Sequence, residues 1–131
     1  LNSKIYNHGY ITVVALSGKI DVEKSYSFSV SAKKNFPQKN VIFCMQNVNF
    51  VGSSGIQAFF QTLEVLQTQL KSNILIAGLH PDFEKILRFT AKSELKVYDT
   101  LENALTSFHL SHATFESNLE IDLVASKDSQ E

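Results

Sequence analysis

The chain has 131 residues, of which 44% are hydrophobic and 19% charged, enough for one domain with a single core. Its formal net charge is -1, which excludes an overall electrostatic pull toward nucleic acid or anionic membrane. No apolar run approaches the ~20 residues of a membrane span. No signal-peptide pattern follows Leu1, and the lone Cys44 sits in an apolar run as a small buried hydrophobe, so nothing asks for an oxidising compartment. The expectation is a cytoplasmic protein with no direct nucleic-acid contact and no membrane span.

Lys4 to Asn7 and Tyr10 to Leu16 read as two strands around a hairpin turn at Asn7-His8-Gly9. Ile11, Val13, Val14 and Leu16 make the second dense enough in β-branched residues for a central strand. Ser17-Gly18 is read as its end and Gly18-Lys19-Ile20-Asp21 as the following loop, with Asp21 at an N-cap position. The next segment is ambiguous. Val22, Tyr26 and Val30 have helical spacing, whereas Tyr26, Phe28, Val30 and Ala32 alternate like a strand. A parallel connection from Val13 to Ile42 needs a crossover, normally a helix, so topology assigns a helix to 22–35. Asn35-Phe36-Pro37 ends it.

Val41-Ile42-Phe43-Cys44-Met45 is a strand-length apolar run. Ile56, Phe59, Phe60, Leu63, Leu66 and Leu70 then mark a long helix over 54–71. Between them lies Gly52-Ser53-Ser54-Gly55. A strand-to-helix turn of this kind joins free backbone N–H groups to the positive end of a helix dipole and favours anions. The plain alternative is a cap, in which Ser53 or Ser54 accepts from an N–H one turn in.

Asn73 to Leu79 contains the continuous apolar run of a strand buried on both faces. A helix opens at His80-Pro81-Asp82, with Pro81 in its first position and Phe83, Ile86, Leu87 and Thr90 turned inward. Leu95 to Tyr98 is a short fifth strand. Asp99 or Thr100 caps a last helix whose stripe is Leu101, Ala104, Leu105 and Phe108. The order β-β-α-β-α-β-α-β-α implies an α/β fold with a mostly parallel sheet. Residues 1–108 form the domain. In 109–131, Phe115, Leu119, Ile121 and Leu123 alternate with polar neighbours, which fits either a loosely docked tail or an extra strand over a sheet edge.

Specific catalytic patterns are missing. His109 and His112 are three apart, but no nearby Cys completes the roughly four ligands of a structural zinc site, so no metal is expected. Ile56 occupies the place where a nucleophile elbow needs its second glycine. Phosphate-loop and dinucleotide glycine patterns are absent, and no cofactor is expected. Asp21 and Asp82 read as helix caps rather than a catalytic pair.

The element order and the motif Val51-Gly52-Ser53-Ser54-Gly55-Ile56 resemble the STAS family, the anti-sigma-factor antagonists and the cytoplasmic domains of sulfate transporters. The family carries hydrophobic-Asp-Ser-Ser-Gly-hydrophobic at this junction and Gly-Glu-Leu-Asp after the second strand, matched by Gly18-Lys19-Ile20-Asp21. Leu79 to Leu87 and Val97 to Leu105 are also typical in pattern. The resemblance implies a mixed, mostly parallel sheet of four or five strands with about four helices. It implies a non-enzymatic switch in which Ser53, less plausibly Ser54, is phosphorylated. Asp21, Gly52, Ser53, Ser54, Gly55 and Gln57 would then face the partner.

That partner would be an anti-sigma factor that is also a serine kinase, with a PP2C-type phosphatase reversing the modification, and a homodimer is compatible with the scheme. Gly52 stands where the family has Asp, and Cys44 where a further Asp is frequent. The alternatives are a STAS binding module that is never phosphorylated, a transporter-type domain and, remotely, a serine hydrolase.

Overall fold

The computed structural model describes residues 1–90 and 94–111, with side chains through 109. The chain runs β1 (Asn2–His8), β2 (Ile11–Ile20), α1 (Val22–Asn35), β3 (Asn40–Phe50), α2 (Ser53–Thr68), β4 (Asn73–Ala77), α3 (Pro81–Thr90), β5 (Lys96–Tyr98) and α4 (Leu101–Ser111). The strands form one five-stranded sheet in the order β1-β2-β3-β4-β5. β1 is antiparallel to β2, and the remaining neighbours are parallel. This is the mixed, mostly parallel α/β layer that the element order predicts. The extension beyond Ser111, with His112, lies outside the described residues.

Strand periodicity sorts the core into two layers. Val14, Leu16, Val41, Phe43, Met45, Ile74 and Ile76 point to the face covered by α1, α2 and α3. Ile11, Val13, Ile42, Leu75 and Ala77 point to the other, where Ala104 and Phe108 of α4 meet them. The first layer is aromatic. Phe28 stacks on Phe59 at 4.5 Å between ring centroids and meets Phe43 edge-on at 5.6 Å. Each such fully buried ring contributes about 1.5–3 kcal/mol, which fixes α1 and α2 against the middle of the sheet.

Several boundaries differ from the sequence reading. β1 runs Asn2–His8 rather than 4–7, so the hairpin turns at Gly9-Tyr10 and not at Asn7-His8-Gly9, and β4 ends at Ala77 rather than Leu79. β2 does not stop at Ser17-Gly18. A register shift between Ala15 and Ser17 absorbs the irregularity, Gly18 takes φ +100°, and pairing with β3 resumes through Ile20↔Phe50. Thus Gly18 to Ile20 are strand, not loop. β3 likewise extends to Phe50, because Val48 still faces the core and Asn47 and Asn49 keep their backbone pairing to β2. α2 covers Ser53–Thr68 rather than 54–71. Lys71 at φ +62° turns the chain away, and the Ser72 hydroxyl donates to the Phe36 carbonyl at 2.6 Å.

The stripe on α1 is also reversed. Val22, Tyr26 and Val30 are exposed, while Ser25, Phe28 and Ala32 are buried. The small Ser25 and Ala32 let α1 approach closely enough for Phe28 to reach Phe59, which larger inward side chains would prevent. No described helix is long and apolar enough to cross a membrane.

Candidate functional site

β2 and β3 end side by side, joined by the Val51 N–H donating to the Ile20 carbonyl at 2.9 Å. Each then turns into a helix. After β2, the Asp21 carboxylate accepts from the Lys24 N–H at 2.8 Å and caps α1, as the sequence suggests. After β3, Gly52 is the N-cap of α2 with φ 81° and ψ 152°, and no side chain caps the helix. Ser53 and Ser54 therefore do not cap. They are the first two residues of α2, both exposed.

This start carries no acidic residue of its own. The opening N–H groups of a helix lack intrahelical carbonyls. The helix end carries about half a positive charge, so a carboxylate or phosphate placed on it is favoured. A phosphoryl group on either hydroxyl would sit within reach of that field.

Gly55 locks the two turns together. A Cβ at this position would lie 3.0 Å from the Asp21 carbonyl carbon and 3.2 Å from the Ile20 oxygen, so any larger residue would push the two turns apart by a few tenths of an ångström. The buried Ser25 hydroxyl donates to the Gly55 carbonyl at 2.8 Å, tying α1 to α2. Asp21, Gly52, Ser53, Ser54 and Gly55 are consequently one contiguous region at the carboxyl ends of the parallel strands, where ligands of α/β folds usually bind. Gln57 is exposed on α2 within the following turn. Sequence reasoning missed Ser25. Its signal was the inward spacing Ser25-Phe28-Ala32, a polar residue on the face that packs.

The neighbouring helices start differently. The His80 Nδ1 accepts from the Asp82 N–H at 3.1 Å, so Asp82 is inside α3 rather than its cap. The Thr100 hydroxyl accepts from the Asn103 N–H at 3.1 Å and caps α4. Cys44 belongs to the α4 face of the sheet, away from the serine turn. Burial pushes its thiol pKa up, and the Glu102 carboxylate adds to the effect. His109 makes an edge contact with Tyr10 at 6.4 Å between centroids. Among the described residues no group of three His, Cys, Asp or Glu is placed to hold a metal ion.

The family model of the STAS domain matches residues 2–104. A Thermotoga maritima protein assigned as an anti-sigma factor antagonist superposes with a TM-score of 0.66 at 14% identity, covering 80% of this chain and 92% of that one. The phosphorylated Bacillus cell fate determinant SpoIIAA superposes with a TM-score of 0.61 at 15% identity, covering 82% and 99%. The murine anion transporter Slc26a9 matches with a TM-score of 0.64 at 14% identity, over 80% of this chain and 18% of the transporter. No curated protein sequence matches. At such identities the superpositions speak to fold alone, and they agree with the sequence model: the chain belongs to the STAS domain family.

Proposed function

We propose that this STAS domain is a cytoplasmic anti-sigma-factor antagonist working by partner switching. Unphosphorylated, it binds an anti-sigma factor that is also a serine kinase and so frees a sigma factor. Phosphorylation of Ser53 breaks the complex, and a PP2C-type phosphatase restores it. The domain itself catalyses nothing.

One observation supports this reading above the others. Ser53 and Ser54 are exposed at the uncapped, acid-free start of α2 and lie beside the Asp21 turn. Their hydroxyls are not used to cap the helix, which leaves them accessible to a kinase. Phosphate adds about -1.5 to -2 charges there, which the helix end accommodates within the domain while a docked partner is displaced. The likeness in fold to a phosphorylated antagonist is consistent with such a role.

The test is binding of the purified domain to each anti-sigma-factor serine kinase of the source organism. Wild type and Ser53→Ala should bind one of them, and Ser53→Asp should not. Binding to none refutes the reading. Gly52 and Cys44, at positions where the family commonly has Asp, favour one alternative: a STAS module that binds constitutively, for which Ser53→Asp would bind as well as wild type.

A further inference from the structure

β1 is the long open edge of the sheet. Among the described residues it pairs only with β2, and all 7 of its residues are exposed, Ile5 at 56% and Tyr6 at 49%. Such an edge offers a row of unpaired backbone N–H and C=O groups, and Lys4 is the only Lys, Arg, Asp or Glu along it. The opposite edge, β5, is just 3 residues long.

The chain beyond α4 sets out beside this edge. α4 ends at Ser111, and His109 near its end meets Tyr10 of the β1–β2 turn at 6.4 Å between ring centroids. From Ser111 to Glu116 the chain can extend by at most about 18 Å, against the ~5 Å between neighbouring strands. A strand entered from that end runs antiparallel to β1, because β1 meets the turn at its own last residue, His8. The sequence there has a strand's period: Phe115, Leu119, Ile121 and Leu123 alternate with Glu116, Asn118, Glu120 and Asp122.

We infer that residues 115–123 form a sixth strand that pairs antiparallel with β1 and closes its edge, with Leu119 opposite Ile5 and Glu120 opposite Lys4. This register satisfies both faces at once. It sets Leu119 by Ile5 and Leu123 by Leu1, at the margin of the layer under α1, α2 and α3, where Ile5 pairs with Val14 and Leu1 packs. On the other face Glu116 comes beside His8, and Glu120 faces Lys4, a pairing of opposite charges that stabilises adjacent strands. A slip of one residue either way carries the acids to the apolar layer and leaves Lys4 facing Leu119 or Ile121. The short tether favours this strand over β1 of a second copy, since it holds the segment at an effective concentration of about millimolar. The closure depends neither on phosphorylation nor on the identity of any partner.

Hydrogen exchange of the full chain, read by mass spectrometry, tests the strand. Backbone amides in 115–123 should exchange roughly tenfold or more slowly than in the urea-unfolded chain. Leu119→Asp should return them to about the unfolded rate and quicken exchange in β1, with α2 unchanged. Circular dichroism checks that this variant is folded. Exchange at the unfolded rate in wild type overturns the inference, as does protection of 115–123 that Leu119→Asp leaves intact.

Cysteine pairs test the register and the occupant. In a Cys44→Ala background, Ser3→Cys with Ile121→Cys should oxidise to a disulfide within one chain, because facing residues lie ~4.5–5.5 Å apart at Cα. Ser3→Cys with Glu120→Cys, whose side chains leave opposite faces, should cross-link about tenfold more slowly. Equal rates from the two pairs overturn the register. Cross-links between chains, or a dimer in sedimentation with β1 protected and 115–123 unprotected, assign the edge to a second copy and overturn the closure.

Discussion

Gly52 is one of two positions at which the chain departs from the family's Asp, and its backbone conformation is one that suits glycine. At φ 81° and ψ 152° it occupies a region that is essentially open to glycine alone. Any L side chain there costs on the order of 1–3 kcal/mol of backbone strain. A Cβ at Gly52 meets no heavy atom within 4 Å, so strain is the whole penalty and no clash adds to it. Gly52→Ala should then destabilise the domain by about 1–3 kcal/mol. Gly52→Asp should lose less, because a carboxylate at the N-cap returns a few tenths from capping and about 0.3–1 kcal/mol from the helix dipole. Urea unfolding of the three proteins, followed by circular dichroism, reads both differences. An Ala variant as stable as wild type, or an Asp variant weaker than the Ala variant, refutes the reasoning. The same Gly52→Asp protein asks whether the missing acid has slowed modification, since restoring it should raise the rate of phosphorylation at Ser53.

Gly55→Ala should cost about 1–3 kcal/mol of overpacking against the Asp21 backbone, less up to ~1 kcal/mol of helix propensity, and should lower the melting temperature by several degrees. Ser25→Ala, which removes the buried bond to the Gly55 carbonyl, should cost about 1 kcal/mol in the same assay. Cys44 carries a pKa raised above its ordinary 9.0, so its contribution to stability is intact below the unfolded-state value and is lost as pH rises through the folded one. Stability should fall in that alkaline window for wild type and less so for Cys44→Ala, and iodoacetamide at neutral pH should alkylate the native thiol more slowly than the urea-unfolded one. Ser53→Ala should unfold within about 0.5 kcal/mol of wild type, because the Ser53 side chain caps nothing.

The element order was legible because each strand and helix carries its own period, and because a parallel pair demands a crossover that settled α1 against its mixed pattern. What stayed hidden was tertiary. Gly18 reads as a strand end, yet pairing to Val48 in β3 carries the strand past it. The outward line on α1 carries more apolar residues than the inward one, and pattern alone chooses the wrong face. Only the stacking of Phe28 on Phe59 and the bond from Ser25 to Gly55 select the other. In the site, the residues of the turn were legible, and the reading of its serines as helix caps is the part that the structure overturns. The serines read as caps because serines usually are, whereas the glycine conformation at Gly52 takes the N-cap place and leaves both hydroxyls exposed.

The proposal that Ser53 is a switch meets its most direct test in peptide-mapped mass spectrometry of the domain after incubation with its cognate kinase and ATP. The account predicts one phosphoryl group, on Ser53, absent from Ser53→Ala, with loss of kinase binding in step with its appearance. Bound, active kinase with no phosphate on Ser53 or Ser54 would contradict it and leave a STAS domain that binds without being switched.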